Sequence, residues 1–275
     1  MTIRLVTDEK IAETSSKGNQ EKWYDSLSDL WYKLDQFGYE SLAETLASAI
    51  MEKSNIEADT PFTFVRYRMV NLRVHGQDRN GCESQNFLRS GQSLITINRL
   101  LSSHLGFPLK QKLMQLPSDK KRIAYLAEAT AECTGLKEFP HYLTLLFEVD
   151  ALLCNDDRHL NNIAVIEQAS TYYYCPIFDH GAGLLSNTQI SQMDISPKAL
   201  IAVLRARPLG TTFARQMNTA RSLYGSQLVI PMLSAAVISD ALLPILGYYA
   251  ERDRGIIADR VTACIRAHMK AFARN

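Results

Sequence analysis

A chain of 275 residues, 46% of them apolar, can bury a substantial core and suits one large domain or two lobes. Its formal net charge of +1 gives no global attraction for nucleic acid or an anionic membrane surface. The five cysteines, Cys82, Cys133, Cys154, Cys175 and Cys264, stand singly without a C-x-x-C, so neither a disulfide framework nor a zinc site is indicated and a reducing cytoplasm is the expected location.

The first 18 residues lack the apolar core of a signal peptide. Ile3 to Val6 is a short apolar run, and residues 13–24 make a polar turn with one glycine, Gly18, before an aromatic strand at Trp23-Tyr24. Asp29 to Phe37 reads as a second strand, with Lys33 among apolar residues. From Tyr39 to Lys53, Leu42, Leu46, Ala49 and Ile50 recur at helical spacing, with Glu40 and Glu44 on the same segment. Phe62 to Val70 alternates like a strand, and Asn71 to Asn86, rich in Gly, Asn, Asp and Arg, reads as a surface connection. A small α+β unit over residues 1–72 and a mainly helical unit over 73–275 are expected.

In the second unit Phe87 to Leu105 and Lys120 to Thr134 read as helices, divided by Gly106-Phe107-Pro108 and by Leu116-Pro117-Ser118-Asp119, which supplies an N-cap. Phe139 to Leu153 is a third helix, broken by the polar run Asn155-Asp156-Asp157-Arg158-His159. Two β-rich runs, Asn162 to Ile166 and Thr171 to Phe178, form a hairpin that ends on Asp179-His180-Gly181. Leu184 to Ser196 has no clear period, and a helix follows Pro197. Arg205, Arg207 and Arg215 make a basic cluster that either faces phosphate or an acidic substrate or is simply solvated. Leu228 to Tyr249 is the most apolar stretch, but Asp240, Pro231 and Pro244 suit buried helices better than a bilayer span. Ile256 to Phe272 is amphipathic, with Ile257, Val261, Cys264, Ile265 and Met269 on one face.

Helix, polar loop, hairpin and acidic turn is the order in which a phosphotransferase presents its chemistry. Phosphoryl transfer needs a carboxylate at the attacking hydroxyl and oxygen ligands that hold magnesium on the phosphates. Asp157 and Asn162, five apart where a loop enters a strand, can share a cleft, and the hairpin returns Asp179 to its mouth. The Asn162 amide and Asp179 carboxylate offer hard oxygens suited to magnesium. In the first unit a turn of exposed N–H groups can cover phosphates, Lys33 can reach them, and a helix glutamate, Glu40 or Glu44, can hold that lysine. The same residues have plainer readings, since Asp and Asn form turns and strand lysines snorkel to solvent. His159 reads as a brace for the loop, Tyr172-Tyr173-Tyr174 as strand formers, and Cys154 and Cys175 lack a basic partner that would make them nucleophiles.

Ser15 followed by Gly18-Asn19-Gln20-Glu21-Lys22 resembles the glycine-loop segment of the HipA-type serine/threonine kinases. Tyr32-Lys33-Leu34 is similar to that family's nucleotide-lysine strand, and Glu40 followed by Leu46-Ala47 resembles its helix glutamate. Asn155 to Asn162 is similar to the family's N-x-D-x-H-x-x-N catalytic loop, Asp157 to Asn162 matches the D-R-H-x-x-N of phosphoinositide kinases, and Asp179-His180-Gly181 resembles their D-F-G. The resemblance covers roughly residues 13 to 183 and is to the compact bacterial form.

It implies an α+β, bilobal protein-kinase-like fold, with a small β-rich N-lobe over 1–72 and a larger, mainly helical C-lobe over 73–275. It implies ATP and Mg2+ as cofactors and a protein serine or threonine as substrate. Asp157 would be catalytic, and Asn162 and Asp179 would bind metal. Ser16, Lys17, Gly18, Asn19, Lys33, Glu40 and, in the hinge-like Val65-Arg66-Tyr67-Arg68, Val65 and Tyr67 would contact ATP, while His159 would be structural. Ser15 or Ser16 would be autophosphorylated, and an antitoxin-like or regulatory partner would be present. Two alternatives stay open: a lipid or small-molecule kinase, because D-R-H-x-x-N serves that chemistry equally, and a non-catalytic pseudokinase module.

Overall fold

The computed structural model describes residues 3–6 and 20–272; the expected phosphate-covering residues Ser15 to Asn19 lie outside them. Strand β1 (Ile3–Val6) runs parallel to a later strand, while β2 (Lys22–Asp25) and β3 (Leu30–Leu34) form a hairpin that sets Lys22 opposite Lys33 and Trp23 opposite Tyr32. Helix α1 (Glu40–Met51) follows, with Leu42, Ala43, Leu46 and Ala47 fully buried at the expected helical spacing, and then the short α2 (Ile56–Asp59).

The stretch from Asn71 to Asn86 is not a surface connection. It completes β4 (Tyr67–Val74) and forms β5 (Gln77–Gln85), paired along its length with β4 on one edge and β3 on the other. The sheet order is β1-β4-β5-β3-β2, so the sheet extends past residue 72 to Gln85 and the chain leaves it through residues 86–92. Polar composition hid β5 because its inner half buries Glu83 and Ser84 beside Cys82. Gly81 is required there, since a Cβ would stand 2.6 Å from the Lys33 carbonyl oxygen and 2.3 Å from Leu72 Cδ1.

A second correction falls on residues 87–105, expected to be one helix. Ser93–Thr96 is strand β6, the outer member of a three-stranded sheet with β7 (Ala164–Gln168) and β8 (Thr171–Tyr174), and α3 (Ile97–Leu105) begins only after Thr96, whose hydroxyl accepts from Arg99 N at 3.2 Å. Pairing with β7, some 70 residues away in sequence, overrides the local pattern. Residues 62–66, expected as strand, instead run beside the hairpin's exit, with Val65 N donating to Ile177 O (2.9 Å) and Ile177 N to Thr63 O (2.8 Å).

Helices α4 (Leu109–Gln115), α5 (Asp119–Thr134), α6 (Phe139–Leu153), α7 (Pro197–Val203), α8 (Phe213–Tyr224), α9 (Ala235–Leu246) and α10 (Glu251–His268) form the rest. Helix α6 is buried along nearly its whole length against α5, α8 and α10, each buried Leu or Phe contributing about 1.5–3 kcal/mol. Its Glu148 carboxylate, fully buried, accepts from Arg221 Nε (2.6 Å) and Leu228 N (2.7 Å), which fastens the segment after α8. The expected apolar face of α10 is buried, and from it Arg260 donates to Tyr39 Oη (2.9 Å), Leu185 O (2.8 Å) and Ser191 O (2.7 Å), fixing the chain downstream of Asp179. Among the described residues no helix is long and apolar enough to cross a membrane.

Candidate functional site

Strand alternation turns Lys33 inward, 9% exposed, toward α1 and the loop after β8. Its ammonium pairs with Glu44 and lies 2.7 Å from Asp179 Oδ1, with the Tyr67 ring centroid 5.1 Å away. Burial pushes Lys33 toward neutrality, but Asp179 and Glu44 outweigh it and hold the group above the usual ammonium range, so it stays charged. The second Glu44 oxygen accepts from His180 N at 2.8 Å, which ties α1 to the acidic turn.

Glu40 is therefore not the lysine's partner. Its carboxylate accepts from Phe37 N (2.7 Å) and Gly38 N (3.1 Å), closing the entry to α1, and burial followed by the charge of Asp35 raises it to about 7. Glu44, one helical turn further along, is the residue that reaches Lys33.

The loop of residues 155–162 begins where α6 stops. Cys154 takes a left-handed conformation (φ 51°), and Asn155 N donates back to Asp150 O at 2.9 Å, so the helix ends abruptly under the cleft. Asn155 then donates to Asp150 Oδ1 (2.9 Å) and accepts from Asp157 N (3.3 Å). Asn162 Nδ2 donates to Asp157 O (3.2 Å), which leaves the amide oxygen uncommitted among the described residues. The His159 backbone donates to Asp157 O at 2.7 Å, a bracing contact made by the main chain, while its Nδ1 is buried without a partner.

Arg158, absent from the sequence-level list of site residues, is the fastening of this region. Fully buried, it makes a forked pair with Asp150 (Nε to Oδ2 3.0 Å, Nη2 to Oδ1 3.0 Å) and donates to Asn162 O (3.1 Å) and Phe178 O (2.6 Å). One guanidinium thus joins the end of α6, the loop of residues 155–162 and the strand leading to Asp179. Asp179 itself has φ 66°, a left-handed backbone that costs a non-glycine residue about 1–3 kcal/mol. Its carbonyl accepts from Asn155 Nδ2 (3.3 Å), and the flanking Phe178 O and His180 N are held by Arg158 and Glu44. Burial pushes the Asp179 carboxyl up, but Lys33 and then Lys22 overcome this and hold it well below the usual carboxylate range.

Asp157, Asn162, Asp179, Glu40, Gln20 and Lys22 line one cleft of about 480 Å³. Val65 and Tyr67 do not line it; they pack with Cys82, Phe87 and Phe178, so the stretch taken for a hinge is the start of β4 and the crossing at residues 86–92 is the covalent link. Lys22 is a second cation in the cleft, placed there by its register opposite Lys33, a position that the bare sequence does not give. The donors suit a hard divalent cation shared with phosphates: an ionised carboxylate at Asp179, a free amide oxygen at Asn162, and two lysines for the remaining anionic oxygens. Among the described residues no three His, Cys, Asp or Glu side chains are grouped so that they could hold a metal ion.

No protein-family model matches the chain, and no curated protein matches it. Among solved structures the chain is similar to the Helicobacter pylori proinflammatory kinase CtkA over 94% of this chain and 89% of that one, at 14% identity and a TM-score of 0.56. A second similarity, to HipA of the Shewanella oneidensis MR-1 toxin–antitoxin system solved with HipB and operator DNA, covers 94% of this chain and 65% of that one, at 12% identity and a TM-score of 0.48. The likeness to CtkA shows the fold: this chain has the α+β, protein-kinase-like fold that the sequence resemblance implies, with the five-stranded sheet and α1 set against a mainly helical part.

Proposed function

We propose that this chain is an ATP- and magnesium-dependent kinase that phosphorylates a protein serine or threonine. The observation that carries the reading is Lys33 held between Glu44 and Asp179, with Asp179 lining one cleft together with Asp157 and Asn162. Magnesium-ATP, when bound, supplies a transferable phosphoryl group with its charge partly neutralised. Lys33 and Lys22 bind the anionic oxygens, and Asn162 and Asp179 hold the cation. Asp157 orients the acceptor hydroxyl and takes its proton, a role worth about 10²–10⁴ in rate. Arg158 and Asn155 fix the loop that carries Asp157, and Glu44 keeps Lys33 directed at the cleft.

The test has two readouts. Saturating magnesium-ATP at about 100 times its dissociation constant should stabilise the fold by about 2.7 kcal/mol, and labelled phosphate should appear on a generic protein substrate. Transfer to inositol lipid or to small molecules in preference to protein would move the activity to the lipid or small-molecule class. Stabilisation without transfer to any acceptor would leave a nucleotide-binding pseudokinase. No stabilisation would remove the kinase reading altogether.

A further inference from the structure

A second cavity, of about 500 Å³, opens beside the catalytic loop, and His159 and Asn161 line both it and the nucleotide-side cleft. The two spaces therefore meet two to four residues beyond Asp157 in the chain. Asn161 is fixed at this junction by Asn98, whose Nδ2 donates to its Oδ1 at 2.9 Å, and the orphaned His159 Nδ1 lies in the residue shared by both walls.

The charges lining this cavity are of one sign. Lys110, Arg122 and Arg207 contribute to it and no carboxylate does. Arg122 is committed to Asp119 Oδ1 (3.1 Å) and Leu113 O (3.0 Å), and Arg207 lies within electrostatic reach of Asp156, the neighbour of Asp157, without a hydrogen bond from its guanidinium among the described residues. The basic cluster noted in the sequence is thereby divided: Arg215 pairs with Asp119 (3.0 Å), and Arg205 folds back on the carbonyls of Ala202, Val203 and Leu204. Arg207 is left for the cavity on an anchored backbone, its carbonyl accepting from Gln216 Nε2 (2.8 Å) and the adjacent Ala206 N donating to Thr211 O (2.7 Å). The rest of the wall includes apolar side chains, Leu113, Met114, Leu160 and Leu209.

We infer that this cavity is the groove for the protein substrate and that it selects an acidic segment next to the acceptor hydroxyl, with Lys110 and Arg207 as its specificity-determining residues. The inference rests on the kinase reading above. An acidic peptide fits better than a polyphosphorylated lipid headgroup, because a lining of a few cations and several aliphatic side chains matches carboxylates interspersed with apolar residues, whereas a headgroup needs a dense cluster of cations.

The experiment compares serine peptides carrying Asp/Glu, Ala or Lys/Arg around the acceptor, and phosphoinositide-containing vesicles, on the wild type and on K110E/R207E. The wild type is expected to prefer acidic peptides over neutral ones by about tenfold in kcat/KM, equivalent to ~1.4 kcal/mol, and the double reversal should lose that preference and gain on basic peptides. Stabilisation by magnesium-ATP, measured on the same samples, reports that the variant is folded; should it fail to fold, Lys110→Met and Arg207→Met singly are each expected to reduce the preference. Transfer that ignores peptide charge, or a preference unchanged by the variants, or faster transfer to the vesicles overturns the groove assignment while the kinase reading survives. Absence of both nucleotide stabilisation and transfer in the wild type overturns that reading, and this inference with it.

Discussion

Lys33 and Asp179 stand 146 residues apart in the chain, and their side chains meet at 2.7 Å. The contact joins the five-stranded sheet to the turn that follows the β7–β8 hairpin, and Glu44 closes it into a three-way cluster of one buried cation and two carboxylates. Removing Lys33 strands two carboxylates without their cation, whereas removing either carboxylate leaves the other paired with Lys33, which gives each substitution a distinct signature.

Glu44→Ala leaves Lys33 to Asp179 alone and His180 N without its acceptor, so a stability loss of about 1–3 kcal/mol is expected together with a large loss of transfer. Glu40→Ala should cost less stability and leave Lys33 in place, since Glu40 serves Phe37 N and Gly38 N. Chemical denaturation of the two variants in parallel checks the ranking; equal losses would contradict the assignment of Glu44 as the lysine's partner.

Asp157→Asn should keep the fold and nucleotide binding and lower turnover by about 10²–10⁴, because the residue is directed at the hydroxyl and not at the nucleotide. Single-turnover transfer with saturating nucleotide measures this. Retained turnover would shift the base role to the adjacent Asp156, whose carboxyl is raised to about 6 by burial and then by the charge of Asp157.

Arg158→Met leaves the fully buried Asp150 carboxylate facing an apolar side chain and should destabilise the fold by about 3–5 kcal/mol. Adding Asp150→Leu should recover part of that loss, because the stranded charge is removed as well. A double variant no more stable than Arg158→Met alone would show that the donations to Asn162 O and Phe178 O, and not the ion pair, carry the stability.

The pH dependence follows from Glu40. Its carboxyl is raised from 4.5 to about 7 in the folded chain, so the folded state holds the proton more tightly than the unfolded one. The stability this confers is complete below about 4.5 and is lost as the pH rises through about 7. Glu40→Gln should flatten the dependence of Tm on pH across that window. A profile parallel to wild type would place the titration elsewhere.

Ser15 and Ser16 are the proposed autophosphorylation sites. The resemblance implies that this segment contacts ATP, and a phosphate on it, adding about −1.5 to −2 charges, should then weaken ATP binding. Mass spectrometry after incubation with magnesium-ATP should find phosphate on the wild type and none on Asp157→Ala; its absence from both removes the idea.

What the sequence determined by itself was a set of residue types and their order: a lysine among apolar residues on a strand, a helix rich in apolar repeats, a polar break after an apolar helix, and an acidic turn after a hairpin. These are local signals, set by period, turn chemistry and residue type, and the fold kept each of them. Tertiary structure decided what periodicity leaves degenerate. Glu40 and Glu44 lie one turn apart on the same helix, and only the position of β3 and the acidic turn over α1 selects Glu44. Strand β5 was hidden because its polar side chains are satisfied by neighbours distant in sequence, Glu83 by Arg68 among them, and β6 because its partner lies beyond four helices. Arg158 reads in the sequence as one more charge in a polar loop. Its role as the fastening between α6, the loop of residues 155–162 and Asp179 exists only once burial has removed water and left it to Asp150, Asn162 O, Phe178 O and His180 Nδ1.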